Sequence, residues 1–196
     1  MKSKDLTPIP PKYVSSGPVL KNVLTGDKID SLRFPVPRFH ELDRGRYFGT
    51  AHAVIQRDPD DGWVNLGTYR VMVVDKNRFA LHAVPGKHGN ILMYEKYFAR
   101  NKVMPIAIAI GLDPVLWWLS CQRDTPWGVS EYDAAGGIKG EPIEVIRGEY
   151  TGLPFPARAE VVVEGEVHPG EWAEEGPFGE WHGYYANRGL LTVPEP

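Results

Sequence analysis

The stretch YFGTAHAVIQRDPDDGWVNLGTYRVMVVDKNRFALHAV (47–84) decides the fold. It holds three apolar runs, 47–57, 64–74 and 78–84, which are rich in β-branched and aromatic residues and therefore predict strands. The connections between them contain Asp-Pro, Asp-Gly and Asp-Lys-Asn, which are turn-forming sequences. Because short connections of this kind join antiparallel strands, the stretch predicts a three-stranded meander.

The rest of the chain adds helices and further strands to this meander. Apolar residues recur at helical spacing in GNILMYEKYFARN (89–101), and MPIAIAIG (104–111) is a near-continuous apolar run typical of a buried strand. Asp113 followed by Pro114 predicts the start of a helix over 115–121. We also predict strands over 141–150 and 157–167 and loops over 122–137 and 174–185. The whole pattern indicates an α+β, mostly β fold with a barrel-like sheet and a few peripheral helices.

Length and composition restrict the class of protein. The chain has 196 residues, of which 42% are hydrophobic and 24% charged, enough for one ordinary globular domain or two small ones. With a net charge of −3 and no basic run, nothing predicts a nucleic-acid partner. No apolar run approaches the roughly 20 residues of a membrane span. The single Cys121 excludes an intramolecular disulfide, and the polar N-terminus lacks a signal-peptide pattern, so we expect a cytoplasmic protein.

Two carboxylates stand out near the end of the chain. Glu175 and Glu180 flank the sequence Gly-Pro-Phe-Gly. If they are held close together, their repulsion favours the protonated form of one of them, which then serves as an acid. The alternative is a solvated acidic loop, and the charge pattern alone favours it because Glu171 and Glu174 lie nearby.

Other polar residues lie beside glycines. Asn65 and Arg70 are five residues apart, so a continuous strand points them to opposite faces unless a turn or bulge at Gly67 redirects the chain. His88 precedes the predicted helix in a Gly-flanked loop, and Glu131 lies in another Gly-bearing loop. The six histidines form no HExxH or HxH pair, and a lone histidine is more often structural than a ligand. None of these residues is specific alone.

Taken together, seven segments match a known family in order and spacing. They are FPVPRFHELDRGRYFGT (34–50), DPDDGWVNLGTYR (58–70), GKH (86–88), MPIAIAIGLDP (104–114), SEYDAAGGIKGEPIEVI (130–146), PARAEVVVEGEV (156–167) and EGPFGEWHGYY (175–185). In these segments the sequence resembles the UbiD family of decarboxylases, which use prenylated FMN. The resemblance covers residues 25–186, nearly the whole chain.

The resemblance implies a split β-barrel domain that binds prenylated FMN. In the family, Mn²⁺ or Mg²⁺ joins the flavin phosphate to an Asn, a His and a Glu, and K⁺ is a further candidate ion. Oxygen ligands with one imidazole suit Mn²⁺. The positions that match the metal ligands are Asn65, His88 and Glu131. The positions that match flavin-lining segments are Thr50, Thr68, Tyr69, Arg70 and Lys87, and residues 122–130 are also expected to approach the flavin.

The resemblance also implies a catalytic trio, which Arg70, Glu175 and Glu180 match. We expect a reversible, non-oxidative decarboxylase of aromatic or α,β-unsaturated carboxylic acids. In it Arg70 holds the carboxylate or orients Glu175, and Glu175 delivers the proton that replaces CO₂. Two alternatives stay open: a cofactor-binding module without turnover, and a split barrel like those of FMN reductases. The predicted metal ligands argue against the second.

Family members are usually longer, with an N-terminal domain and a C-terminal domain that carries dimer contacts. We therefore expect residues 1–24 to be an extended N-terminal segment, 25–186 the flavin-binding domain and 187–196 a C-terminal tail. The chain is then either a piece of a longer polypeptide or one subunit of a split enzyme. We expect an exposed apolar face, a homo- or hetero-oligomer, and the remaining domains or a companion subunit as partners.

Overall fold

The fold is α+β and mostly β. The computed structural model of the protein describes residues 7–48, 51–185 and 191–194. The strands are β1 (Lys12–Tyr13), β2 (Arg46–Tyr47), β3 (His52–Arg57), β4 (Val64–Gly67), β5 (Arg70–Val73), β6 (Phe79–His82), β7 (Met104–Ile110), β8 (Glu144–Arg147), β9 (Pro154–Pro156), β10 (Val161–Val167), β11 (Trp172–Glu175) and β12 (Leu191–Pro194). The helices are α1 (His88–Ile91), which continues through a π-helical turn (Leu92–Tyr97) into a 3-10 turn (Phe98–Arg100), α2 (Pro114–Ser120) and α3 (Glu131–Lys139).

A four-stranded antiparallel sheet in the order β10-β7-β3-β4 lies at the centre. Around it lie the sheets β2-β5-β6 and β1-β8-β9 and the pair β11-β12. The strands of the described residues form these separate sheets and are not closed into one hydrogen-bonded barrel. The mostly β character is confirmed, whereas the split barrel stays a prediction.

The central sheet is buried on both faces. Ala107 and Ala109 of β7 face a core that includes α2 and α3, whereas Ile106 and Ile108 face a second core with β5, β6 and the helical turns after α1. Because alanine carries only a methyl group, it lets helices pack closely against one face. A strand with two buried faces needs an uninterrupted apolar sequence, which explains the run at 104–111.

The structure confirms the meander but divides two of its strands. The strand predicted over 47–57 is split into β2 and β3, which belong to different sheets. The strand predicted over 64–74 is split into β4 and β5 at Thr68 and Tyr69. The Thr68 N–H donates to the carbonyl oxygen of Ser120 in α2 at 3.1 Å instead of continuing a strand ladder. Three predicted elements are confirmed to within one residue at each end. They are the helix over 89–101, the strand over 104–111 and the helix over 115–121.

The prediction of a loop over 122–137 is wrong for residues 131–137, because α3 begins at residue 131. Ser130 caps this helix, and its hydroxyl oxygen accepts from the Tyr132 N–H. Gly136 and Gly137 suggested a loop, but they are needed because the N-terminal segment crosses the helix. A Cβ at Gly136 would lie 2.3 Å from the Ile9 carbonyl oxygen, and one at Gly137 would lie 2.7 Å from that of Thr7.

Smaller differences concern the ends of strands. The strand predicted over 141–150 is confined to β8, and β11 extends into the loop predicted over 174–185. Strand β9 was not predicted because it begins and ends with proline, which normally argues against a strand. Within residues 7–24 the chain forms β1, which pairs in parallel with β8, and a 3-10 turn at Pro18–Lys21. Among the described residues, no helix has the length and apolar character needed to cross a membrane.

The crossing of the N-terminal segment over α3 can be tested with one methyl group. Helix propensity alone makes Gly136→Ala stabilising by about 1 kcal/mol. Since the new Cβ clashes with the Ile9 carbonyl, we expect the opposite, a fall in Tm of ~3–8 °C. Gly165→Ala in β10 is the control because no atom lies within 4 Å of its added Cβ, and its Tm should change little. A higher Tm for Gly136→Ala in thermal denaturation would contradict the contact.

Candidate active site

A cavity of about 750 Å³ opens at the point where β4 and β5 separate. Its walls come from the ends of β3, β4 and β6, the start of α1, the end of α2, the following loop and the loop after β11. Most of the site residues predicted from the sequence line it: Asn65, Thr68, Tyr69, Arg70, Lys87, His88, Glu131 and Glu180. Glu175 lies behind Arg70, and Thr50 is outside the described residues. The fold therefore brings together residues that are as far as 115 positions apart in the sequence, from Asn65 to Glu180.

The break between β4 and β5 explains how Asn65 and Arg70 reach one cavity although they are five residues apart. Tyr69 fills the break, and its hydroxyl accepts from the Gly89 N–H at 2.8 Å. A Cβ at Gly67 would lie 2.2 Å from the Tyr69 ring, and a Cβ at Gly89 would lie 2.3 Å from it. Glycine is needed on both sides of the ring, so the redirection expected at Gly67 is the consequence of where Tyr69 packs.

His52 holds the other side of this break. It is buried, and its Nε2–H donates to the Tyr69 carbonyl oxygen at 2.6 Å. Burial lowers the pKa of His52 to about 4, so the ring is neutral near pH 7. With the proton on Nε2, the unprotonated Nδ1 has no hydrogen-bond partner in the described part of the chain. The sequence offered no signal for this residue because a lone histidine in a strand has many possible roles.

The three predicted metal ligands, Asn65, His88 and Glu131, all line the cavity. Glu131, the first residue of α3, is buried and accepts from the Leu66 N–H at 2.8 Å. The Asn65 amide nitrogen donates to Gln56 and to Tyr69, both at 3.3 Å, which leaves its carbonyl oxygen without a donor among the described residues. His88 begins α1.

Two indole rings fix the orientation of His88. The His88 ring packs edge to face against Trp63 and Trp127, with ring centroids 5.3 Å and 5.2 Å apart. Burial and the neighbouring Lys87 lower the pKa of His88, so the imidazole is neutral, as a metal ligand must be. Neither tryptophan was identified as a site residue from the sequence.

Among the described residues, no cationic side chain balances the charge of Glu131. Burial raises the pKa of Glu131 to about 7, although the Leu66 N–H opposes the shift. A cation beside this carboxylate would favour its ionised form. In the described residues, no three His, Cys, Asp or Glu side chains are grouped to hold a metal ion. The predicted set has one carboxylate, one imidazole and one amide, so it fits an ion that takes its remaining ligands from another molecule.

Two positively charged side chains also line the cavity. Lys87 and Arg123 both line the cavity, and burial together with the Arg123 charge lowers the pKa of Lys87. Two cationic side chains and a buried carboxylate in one cavity suit a ligand that carries both an anionic group and a cation.

The predicted trio forms a second, separate cluster in the cavity wall. Arg70 binds Glu175 through two parallel hydrogen bonds, Nε to Oε1 at 2.8 Å and Nη2 to Oε2 at 2.7 Å. Glu180 lies on the other side of the guanidinium, with Oε1 3.3 Å from Nη1. Glu175 is 0% exposed and Glu180 33% exposed. Glu175 is therefore not part of a solvated acidic loop.

The side chains that contact Arg70 and Glu175 were not predicted from the sequence. The hydroxyl of Tyr47 in β2 donates to Glu175 Oε1 at 2.6 Å. The Phe178 ring packs on the Arg70 guanidinium, 4.6 Å from its centroid, and on the Tyr47 ring. His82 is paired with Arg70 across β5 and β6 and also lines the cavity. Burial and the Arg70 charge lower the pKa of His82, so it adds no competing positive charge.

Comparison with known proteins identifies the class to which this fold and cavity belong. The family model described as 3-octaprenyl-4-hydroxybenzoate carboxy-lyase Rift-related domain matches residues 12–193. The chain belongs to the UbiD family.

Two curated relatives are decarboxylases. Pyrrole-2-carboxylic acid decarboxylase of Pseudomonas aeruginosa is 42% identical over 177 residues, which are 90% of this chain and 35% of the relative. Phenolic acid decarboxylase of Bacillus subtilis is 36% identical over 198 residues, 98% of this chain and 41% of the relative. The chain thus spans well under half the length of these relatives.

Two solved structures share the fold. An evolved dimeric form of the UbiD-class enzyme HmfF from Pelotomaculum thermopropionicum, in complex with prFMN, matches with a TM-score of 0.87 and 34% identity over 96% of this chain and 43% of that one. Vanillic acid decarboxylase of Sedimentibacter hydroxybenzoicus (ShVdcCD) in closed form matches with a TM-score of 0.84 and 32% identity over 97% of this chain and 41% of that one.

The buried His52 makes stability depend on pH. Its pKa is about 4 in the folded chain and near 6.5 when unfolded, so acid protonates the unfolded state first. As the pH falls from 7.5 to 5, protonation of His52 in the unfolded state should lower the free energy of unfolding by about 2 kcal/mol. His52→Gln keeps an N–H for the Tyr69 carbonyl but does not titrate. We expect urea denaturation to show a smaller loss for the variant over this range. The same loss in both proteins would contradict a neutral, buried His52.

Proposed function

We propose that the chain is the prenylated-FMN-binding part of a reversible, non-oxidative decarboxylase of aromatic or α,β-unsaturated carboxylic acids. The observation that carries the proposal is the fully buried Glu175, held by both arms of Arg70 at the wall of a large cavity. An ion pair is costly to bury, and buried titratable groups beside a cavity are concentrated at functional sites. The named activities of the relatives support the same reaction class.

The cavity suits a flavin phosphate with its metal ion. A volume of about 750 Å³ lies within the range of cofactor sites. Asn65, His88 and Glu131 would hold Mn²⁺ or Mg²⁺. Lys87 would face the phosphate, and Thr68 and Tyr69 would line the flavin. Thr50 as a flavin-lining residue and K⁺ as a further ion are proposed from the family resemblance alone. When bound, prenylated FMN supplies an acceptor for the electron pair released as CO₂ leaves.

The protein residues then bind the acid and move one proton. Arg70 orients the substrate carboxylate, and its bidentate contact keeps Glu175 in place. The bond between the carboxyl carbon and the neighbouring substrate carbon breaks, and CO₂ leaves. The neighbouring carbon then takes a proton from Glu175, which in this structure lies behind Arg70 and reaches the cavity only when Arg70 moves aside. Glu180 pairs with the guanidinium while Glu175 is protonated. No net oxidation takes place, and the reverse order of steps is carboxylation.

We further propose that other polypeptide completes the site. Relatives are more than twice as long as this chain. Two aromatic residues that line the cavity are exposed: Trp181 is 94% exposed and Phe39 is 43% exposed. On this proposal residues 25–186 form a flavin-binding split barrel. Residues 1–24 are an N-terminal segment that precedes it, and residues 187–196 are a C-terminal tail. The partner is the rest of a longer chain or a companion subunit in a cytoplasmic homo- or hetero-oligomer.

The open cavity also favours a second candidate, a cofactor-binding subunit without turnover of its own. A cavity open to solvent does not exclude water from a reacting centre. Turnover of an aromatic acid, measured with this chain alone and with the remaining polypeptide, separates the two candidates. Extraction of plain FMN without metal would instead support an FMN reductase-like domain and contradict both.

The proton-donor role predicts a large effect of Glu175→Gln. The amide keeps the shape and two of the contacts but carries no transferable proton, so turnover in the complete enzyme should fall by at least ~10²-fold while flavin and metal still bind. Glu174→Gln is the matched control because Glu174 is exposed and pairs with Arg44. Near-normal turnover of Glu175→Gln would mean that the proton comes from another group.

The metal assignment predicts a separate effect on ion binding. With FMN present, Glu131→Gln should weaken Mn²⁺ binding by at least ~10-fold, measured from the electron paramagnetic resonance signal of free Mn²⁺. The variant retains an acceptor for the Leu66 N–H. Asp133→Asn on the same helix is the control and should bind Mn²⁺ normally. Equal affinities for the chain and both variants would show that Glu131 is not a ligand.

A further inference from the structure

Gln56 is a fully buried polar residue beside the predicted metal ligands. It is 0% exposed and lies in β3 directly opposite Asn65 of β4. Its amide nitrogen donates to the Gly89 carbonyl oxygen at 3.3 Å, and its amide oxygen accepts from the Asn65 amide nitrogen, also at 3.3 Å. Gln56 therefore joins Asn65 to the residue that follows His88 in the sequence.

The backbone at Gly89 decides how the Gln56 amide is oriented. The Gly89 carbonyl oxygen can only accept a hydrogen bond, so it must face the nitrogen end of the Gln56 amide. The oxygen end of that amide is then turned toward Asn65. The Gly89 N–H donates to the Tyr69 hydroxyl at 2.8 Å, so both backbone groups of Gly89 are held in place.

The orientation of Gln56 in turn decides the orientation of Asn65. Because the Gln56 oxygen only accepts, the nitrogen end of the Asn65 amide must face it, and the reverse orientation would set two acceptor oxygens against each other. The second partner of Asn65, the Tyr69 hydroxyl, does not discriminate, since a hydroxyl both donates and accepts. Of these two partners, only Gln56 determines which end of the Asn65 amide is left free.

The free end is the carbonyl oxygen. Asn65 lines the cavity, and this oxygen accepts no hydrogen bond from the described residues. Hard cations such as Mn²⁺ and Mg²⁺ bind amide oxygens, whereas an amide turned the other way would present N–H groups, which repel a cation.

We propose that Gln56 is a positioning residue that keeps the carbonyl oxygen of Asn65 available to a metal ion in the cavity. The inference rests on the proposed function, in which Asn65 is a metal ligand. Gln56 itself does not touch the ion. It acts through the direction of one amide group.

The test measures Mn²⁺ binding by Gln56→Met in the full chain with FMN present. Methionine is similar in length and fills the buried space, but it offers Asn65 no comparable acceptor. From the electron paramagnetic resonance signal of free Mn²⁺, we expect the affinity to fall by at least ~10-fold, as when other residues that orient a metal ligand are replaced. The affinity for FMN without metal should not change. Gln56→Leu carries the same expectation and replaces the methionine variant if that variant does not fold.

Gln56→Glu is the conservative variant, which should retain binding. Whether its carboxyl group is protonated toward Gly89 or ionised, an oxygen faces Asn65 and accepts from its nitrogen. The Mn²⁺ affinity should therefore be no lower than that of the unchanged chain. Tyr97→Phe is the control for the loss of a buried hydrogen bond next to Gln56, because the Tyr97 hydroxyl donates to the Arg57 carbonyl oxygen at 2.9 Å. It should bind Mn²⁺ normally.

An Asn65→Asp background separates orientation from packing. A carboxylate ends in two equivalent oxygens, so turning it over changes nothing and Gln56 no longer determines which atom is free. Adding Gln56→Met to Asn65→Asp should therefore leave the Mn²⁺ affinity unchanged, although the same substitution lowers it in the original background. A role in packing alone would lower the affinity equally in both backgrounds.

Two results would overturn the inference: an unchanged Mn²⁺ affinity of Gln56→Met, or an equal loss in the Asn65→Asp background. Asn65→Leu tests the proposed function separately. If Asn65→Leu weakens Mn²⁺ binding and Gln56→Met does not, Asn65 is still a ligand and only the inference fails. If Asn65→Leu binds Mn²⁺ as tightly as the unchanged chain, the metal assignment fails and the inference fails with it.

Discussion

The buried ion pair between Arg70 and Glu175 constrains the architecture around the cavity. It joins two strands, β5 and β11, that lie more than 100 residues apart in the sequence. Removing either partner would leave an unpaired charge inside the protein, which costs several kcal/mol. The chain therefore has to bring β11 against the sheet of β2, β5 and β6. Phe178 and Tyr47 then close the space around the pair.

A second constraint acts at the break between β4 and β5. A continuous strand would place Asn65 and Arg70 on opposite faces, and the cavity would contain one cluster instead of two. Tyr69 occupies the break, and glycines at 67 and 89 make room for its ring. His52 fixes the backbone at the same place. Polar groups at this break direct two clusters of polar side chains toward one cavity.

Sequence patterns correctly predicted the helices and strands whose formation depends on residues close together in the sequence. The apolar run at 104–111 and the Asp113–Pro114 start of α2 follow from burial and from capping chemistry, which neighbouring residues determine. The family resemblance placed the site residues in one cavity. Helix α3 was wrongly predicted as a loop because of Gly136 and Gly137. These glycines are explained by contacts with Ile9 and Thr7, more than 120 positions away in the sequence. Tyr47 and the two tryptophans beside His88 were missed for the same reason, since only tertiary contacts distinguish them from core aromatics.

The carboxylate of Glu131 has a consequence for the life of the protein in a cell. It faces an open cavity while it also accepts a hydrogen bond from the backbone of the central sheet. A ligand that neutralises it binds the folded chain and not the unfolded one, so each molecule that acquires the ligand unfolds less often. Quality-control proteases act on the unfolded fraction. On the proposed role of Glu131 in ligand binding, ligand-free copies are degraded first, and the steady-state amount of the protein follows the supply of its ligand without any change in its synthesis.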